Sequence, residues 1–225
     1  MLLGTVFNVV VIAGGTLAGL LLGKRLPGRV NSIMIQALGL MTLLVGAKMI
    51  ITSANSLVVL VSLVVGAVLG EWLGIEERLD TFGAKVERRF NRKGGTFAKA
   101  FVTTSLLFCV GPLSILGSLQ DGLSGDISLL LTKSGLDGIA SIAFASTLGI
   151  GVLFSTIPVL LYQGCITFGA SMLKPYLSTT VVNAITATGG LLVVGIALNV
   201  LQVTKIRVGN LLPAIFLAAL LSVLF

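Results

Sequence analysis

Gln120, Asp121, Ser124, Asp126, Lys133 and Asp137 fall close together on the chain, among Gly122, Gly125, Gly135 and Gly138, and between strongly apolar runs. Polar and ionised groups in such surroundings are costly unless they face water, one another or a substrate. The sharper reading is the lining of an ion or solute path. The plainer one is a solvated external loop in which Asp137 caps the following helix. Just before the cluster, Gly111-Pro112 interrupts an apolar run, and Leu107-Phe108-x-x-x-Pro112 recurs as Leu153-Phe154-x-x-x-Pro158. Proline removes a backbone donor and frees a carbonyl. Paired interruptions at corresponding positions point to a transport site. Ser114, Gln120 and Asp121 follow the first break, while Ser155 and Thr156 flank Pro158 and Tyr162 and Gln163 follow it. Hydroxyls, amides and a carboxylate suit a cation or a small polar solute, with Asp121 the charge-bearing ligand. The two proline segments are expected to approach each other near mid-membrane, with Asp121 facing a water-accessible cavity between them.

Other chemistries fit less well. Gly122-Leu123-Ser124-Gly125 matches the string around an intramembrane serine nucleophile, but the chain contains no histidine to act as its base. Gly122-x-x-Gly125-Asp126 lacks the glycine-aspartate spacing of an intramembrane aspartyl protease. No catalytic residue, resident metal or cofactor is expected, and the protein reads as a non-enzyme. Lys48 is a charge well inside an apolar run, either snorkelling to the interface or pairing with a substrate or carboxylate. Glu71, beside Gly70 and Trp72, has the same two readings. Asn8 and Gln163 read as interhelical hydrogen bonds.

The elements that must position these groups follow from composition. Of 225 residues, 56% are hydrophobic and 10% charged, against roughly 25% charged in a soluble domain. A span needs roughly 20 apolar residues. The expected fold is therefore all-α: a polytopic helical membrane protein with about seven, six to eight, transmembrane helices in one integral domain over residues 1–225. Apolar runs cover about 2–22, 33–51, 57–73, 97–119, 139–173, 181–203 and 209–225. Within Ile139 to Leu173 a broken helix and two full spans remain alternatives. The first run follows Met1 with no basic segment or cleavage site, so it is expected to stay in the mature protein.

The net charge of +7 comes from Lys and Arg in short connections, which is a topology signal and not a nucleic-acid footprint. Basic residues between Lys24 and Arg29, and again between Glu76 and Lys99, place both connections in the cytoplasm and the N-terminus outside. In the second, Ile75, Leu79, Phe82, Val86 and Phe90 recur at helical spacing opposite Glu76, Glu77, Asp80, Lys85, Glu87, Arg88 and Arg89. Residues 75–93 are expected to form an amphipathic interfacial helix. Gly15, Gly19 and Gly23 line one helical face, as do Gly66, Gly70 and Gly74, for close packing within the chain or in a dimer. Ala37-Leu38-Gly39 and Ala187-Thr188-Gly189 carry a fainter likeness, compatible with an inverted repeat. Cys109 and Cys165 lie in apolar runs and suggest no disulfide framework.

At Gly70-Glu71-Trp72-Leu73-Gly74-Ile75-Glu76, at Phe108-Cys109-Val110-Gly111-Pro112-Leu113-Ser114-Ile115-Leu116-Gly117-Ser118-Leu119-Gln120-Asp121-Gly122, and at Tyr162-Gln163-Gly164, the chain resembles the YqgA/YdfK-like bacterial inner-membrane proteins, a domain of unknown function. The resemblance covers essentially the whole chain. It implies a multi-pass inner-membrane location and a transport role with no established substrate, and it carries over no binding residue. The functional expectation is a secondary transporter or channel-like permease for an ion or small polar solute, oligomeric, with the lipid bilayer and that solute as its partners and no nucleic acid. The alternative is a non-transporting scaffold or regulatory subunit.

Overall fold

The computed structural model describes residues 2–23, 27–51, 54–89, 96–109 and 112–224. Its helices are α1 (Leu3–Gly23), α2 (Gly28–Ile50), α3 (Ser56–Leu73), α4 (Ile75–Arg89), α5 (Phe97–Cys109), α6 (Pro112–Ser124), α7 (Ser128–Leu148), α8 (Gly151–Phe154), α9 (Thr156–Phe168), α10 (Ala170–Leu173), α11 (Thr179–Val200) and α12 (Pro213–Leu224), with a 3-10 turn at Val208–Leu211. No strand occurs among the described residues, so the all-α expectation holds. Among the described residues, five segments are each long and apolar enough to cross a membrane: Leu3–Gly23, Ser32–Ile50, Ser56–Leu73, Gly151–Phe168 and Thr179–Val200. The pair α5 and α6, bent by 56°, makes a sixth where the two are counted as one span. The sequence count of six to eight also takes in α7, which carries two charges, and the short apolar α12.

Two compact units interleave along the chain. The first comprises Met1–Ile35 and Gly83–Lys174, the second Gln36–Phe82 and Pro175–Phe225.

In the first unit α1 lies along α7. Gly15, Gly19 and Gly23 abut Gly138, Ile142 and Ser146 in turn. The numbers rise together, so the two helices run parallel. Missing side chains let the backbones approach, which is how helices associate where lipid is as apolar as leucine. α5 and α6 form the second limb and α8 and α9 the third. Gly151 packs on Phe97 and Ala100, and Gly122 packs on Thr167 and Ala170, so these limbs also run parallel. Phe97 meets Phe154 edge-on, with ring centroids 5.0 Å apart. Ile12, Phe108 and Val159 form a fully buried apolar cluster joining α1, α5 and α9.

The second unit is built from antiparallel pairs. Gly39 meets Leu201 and Gly46 meets Gly190 and Val194, setting α2 against α11; Gly66 meets Ala214 and Gly70 meets Asn210, setting α3 against α12 and the 3-10 turn. Val58, Ala184 and Ala218 fill the space between α3, α11 and α12. This arrangement is compatible with an inverted repeat of two hairpins. Gly74 departs from the close-packing pattern: with φ 60° it is the left-handed cap that ends α3. Trp72, 84% exposed, stands beside it as an interfacial anchor would.

The amphipathic segment forms α4, which ends at Arg89. Glu77, Arg78, Asp80 and Lys85 are exposed while Ile75 and Leu79 are half-buried. Phe90, and the remainder of the segment to residue 93, lie outside the described residues.

Candidate functional site

The polar segment does not form a long external loop. α6 continues to Ser124 and α7 begins at Ser128, so only residues 125–127 connect them. Gln120, Ser124 and Asp126 stand at this end. Gln120 Nε2 donates to Asp126 Oδ2 at 2.6 Å, and Ser124 Oγ donates to the Gln120 carbonyl at 2.9 Å. Asp126 accepts the Ser128 amide at 2.9 Å. That bond and the Ser128 hydroxyl hold the Asp126 carboxyl below the usual carboxylate range. Asp126 thus holds the first amide of α7 from the connection, while the N-cap position itself is Ile127 and not Asp137.

Asp137 sits inside α7. A rise of about 1.5 Å per residue puts it about 13 Å beyond Ser128, near the middle of the 21-residue α7. It is 7% exposed and Lys133 is 4% exposed. The two pair directly, one helical turn apart. Self-compensation of this kind explains how α7 carries two charges among apolar neighbours. It also moves the start of the helix upstream of the apolar stretch beginning at Ile139. That stretch is the second half of α7 and then α8 and α9, with the reversal at Gly149 and Ile150.

From this pair a buried hydrogen-bonded chain crosses to three other helices. Asn8 Nδ2 donates to Asp137 Oδ2 at 3.1 Å and to Gln163 Oε1 at 3.5 Å. Gln163 Nε2 donates to Ser114 Oγ at 3.0 Å. One turn toward the short connection, the Gly4 amide donates to Asp121 Oδ2 at 3.3 Å, and Asp121 is 1% exposed. The periodicities are those of single helix faces: Ser114, Ser118 and Asp121 on α6, Gln163 and Thr167 on α9, Lys133 and Asp137 on α7. All are buried. On the far side of Asn8 and Gln163, one turn away along α1 and α9, lie Ile12 and Val159 of the apolar cluster.

The structure thus brings Ser114, Asp121, Lys133, Asp137 and Gln163 of the expected residues together, and adds Asn8. The two proline-bearing limbs meet through α6 and α9. Pro112 opens α6, Gly111 lies outside the described residues, and nothing is described of the Pro112 side chain. Pro158 is the third residue of α9. Ser155 Oγ and Thr156 Oγ1 turn back to the carbonyls of Val152 and Leu153 at 2.7 and 2.6 Å, satisfying the backbone at the α8–α9 break. Tyr162 is half-buried on α9. Lys48 is exposed and belongs to the second unit. Glu71 is in the second unit too, where Asn210 Nδ2 and Arg207 Nη1 each donate to it at 2.6 Å.

Sequence reasoning passed over Thr5, Ser118 and Thr167. Their signal was spacing: each falls three or four residues from, or next to, a residue that binds across the helices. Their hydroxyls, with Asn8 Oδ1, are buried and have no hydrogen-bond partner in the protein. Among the described residues no group of three or more Cys, Asp or Glu could hold a metal ion.

An all-helical chain with a buried polar core and with lipid-length apolar helices is a membrane protein. Residues 3–223 match the family described as "Protein of unknown function (DUF554)", and the chain belongs to that family. It is 34% identical over 218 residues to "Uncharacterized membrane protein YdfK" of Bacillus subtilis (strain 168), covering 95% of this chain and 93% of that one. It is 32% identical over 227 residues to "Uncharacterized protein YqgA" of Escherichia coli (strain K12), covering 99% and 97%. No solved structure matches.

Proposed function

We propose that this protein is a multi-pass permease of the bacterial inner membrane that moves an ion or small polar solute without performing covalent chemistry. The observation that carries this reading is the buried polar chain through Lys133, Asp137, Asn8, Gln163 and Ser114. Ionisable groups buried within apolar helices mark ion and solute pathways, and the chain stops at the apolar Ile12, Phe108 and Val159 cluster. A polar half-path ending on an apolar plug is the form of a gated conduit. The 56° bend between α5 and α6 separates Phe108 of the plug from Ser114 of the path, so straightening there would move the plug.

Helix direction supports the crossing count. α1 and α7 run parallel, and α2, α3 and the α5–α6 pair lie between them in the chain. Three crossings in that interval give α7 the direction of α1, so the bent pair counts as one crossing and not as a re-entrant loop. The test is reconstitution into liposomes with entrapped dyes for protons and for alkali cations, followed by flux under an imposed gradient. Flux above that of empty vesicles supports the permease; its absence across the panel favours a scaffold or regulatory subunit.

A further inference from the structure

The polar core of the first unit holds one negative charge more than it compensates, and several oxygens more than it satisfies. We propose that Asp121, with the oxygens of Thr5, Asn8, Ser118 and Thr167, binds one dehydrated univalent alkali cation. The step from binding to movement rests on the permease reading above.

Charge comes first. Lys133 and Asp137 neutralise each other. Asp121 forms no ion pair among the described residues, and its bond from the Gly4 amide, at 3.3 Å, is long. A buried carboxylate without a countercharge is costly in a low-dielectric interior, and a single positive charge balances it.

The oxygens come second. Hydroxyls in apolar helices ordinarily bond back to the carbonyl one turn earlier. Thr16, Thr104, Ser134 and Ser141 do so, at 2.6–2.8 Å. Thr5, Ser118 and Thr167 do not, although each is at most 1% exposed. Asn8 Oδ1 is likewise without a partner. Buried polar atoms are nearly always satisfied; Ser105 on α5 is a fifth orphan of this unit, and the four on α1, α6 and α9 need a common explanation.

The helices that carry them, α1, α6 and α9, meet around Asp121. Ser118 precedes it by three residues on the same face of α6. Thr5 follows Gly4, whose amide holds the carboxylate. Gly122, beside Asp121, packs directly on the Thr167 backbone. Asn8 is one turn beyond Gly4 and is joined through Gln163 to Ser114, a further turn along α6. Carboxylate, amide and hydroxyl oxygens are ligands for hard cations. A single uncompensated carboxylate suits a univalent ion, whereas calcium takes several carboxylates.

The experiment is thermal unfolding of the full chain in detergent, titrated with NaCl, LiCl or KCl at constant ionic strength against N-methyl-D-glucamine chloride. A saturable rise in Tm with at least one alkali cation is expected, since a ligand that binds only the folded state stabilises it by mass action. The rise should vanish in Asp121→Asn, weaken in Ser118→Ala and Thr167→Val, and persist in Asp126→Asn. If Asp121→Asn does not fold, the two hydroxyl variants decide. No alkali-specific shift, or a shift unchanged in those variants, overturns the site and leaves the orphan oxygens to water only. The two readings fail separately. A shift without vesicle flux keeps the site and removes the permease; flux without a shift does the reverse.

Discussion

Asn8 Nδ2 donates to Asp137 Oδ2 at 3.1 Å, so the carboxylate that pairs with Lys133 on its own helix also ties α7 to α1. Removing Lys133 alone would leave that carboxylate buried without its countercharge. Breaking one side of a buried pair costs about 3–5 kcal/mol, whereas replacing both partners with apolar groups is often neutral. Lys133→Met should therefore lower unfolding stability in detergent by roughly that amount. Lys133→Met combined with Asp137→Leu should recover most of the loss. Additive losses in the double variant would show that the pair is not coupled.

Adjacent glycines on α1 give a sharper test of packing. A Cβ at Gly15 would lie 2.6 Å from the Gly138 carbonyl oxygen, while at Gly14 nothing lies within 4 Å. Overpacking costs typically about 1–3 kcal/mol. Alanine in place of an exposed helical glycine gains about 0.5–1 kcal/mol. Gly15→Ala should destabilise and Gly14→Ala should be neutral or stabilising, read by thermal melting of the two purified variants. Equal effects would mean that α1 does not lie against α7 on this face.

Glu76 supplies a pH dependence in the second unit. Its Oε2 accepts the Gly209 amide at 2.6 Å, and its own amide donates to Asn210 Oδ1 at 2.7 Å. Burial pushes the carboxyl above its ordinary 4.5 and Asp80 adds to this, while the Gly209 bond and Arg207 pull it down. A raised folded-state value means that the folded state binds the proton more tightly. The contribution to stability is then fully present below 4.5 and is lost as pH rises through the raised value. Melting temperature followed across that interval should show this loss in the parent and not in Glu76→Gln. An identical pH profile in the variant would remove Glu76 as its source.

Much of this architecture was legible in the residues. The apolar runs read as helices because nearly every one approaches the length of a span, and the amphipathic face of α4 was visible in Ile75 and Leu79 against Glu77 and Asp80. What was not legible is partnership. Lys133 and Asp137 looked like loop charges because hydropathy counts each separately, while their spacing of one turn lets them cancel inside a helix. Asp126, not Asp137, is the carboxylate at the start of α7, where it accepts the Ser128 amide. Gly15 and Gly66 share a pattern but serve different neighbours, α7 and α12, because pattern records closeness without naming the partner. The interleaving of the two units left no shift in composition.

The direction of the helices makes the topology testable. With the N-terminus outside, the connections before α2 and between α4 and α5 are cytoplasmic, and the α6–α7 connection is external. Single cysteines at positions 28, 94 and 126, in a background without Cys109 and Cys165, should divide accordingly. An impermeant thiol reagent applied to cells with a permeabilised outer membrane should label 126 and spare 28 and 94. Labelling of 28 and 94 from the periplasm would reverse the orientation.

The last prediction weighs two carboxylates against each other. Asp121 is buried at the meeting of α1 and α6, where the Gly4 amide holds it. Asp80 is exposed on α4, and water solvates it whether or not anything crosses the membrane. Asn preserves the size of each side chain and removes only the charge. At Asp80 little should change, because an exposed charge contributes at most about 1 kcal/mol. At Asp121 a cation on the path would lose its countercharge within a low-dielectric interior. A loss of about 1.4 kcal/mol or more is already tenfold in affinity. Flux in liposomes should therefore fall about tenfold or more in Asp121→Asn and stay within about twofold of the parent in Asp80→Asn. Both proteins should be matched for folded protein by size-exclusion profile before reconstitution. Equal flux in the two variants would mean that the buried carboxylate is structural and that the path runs elsewhere.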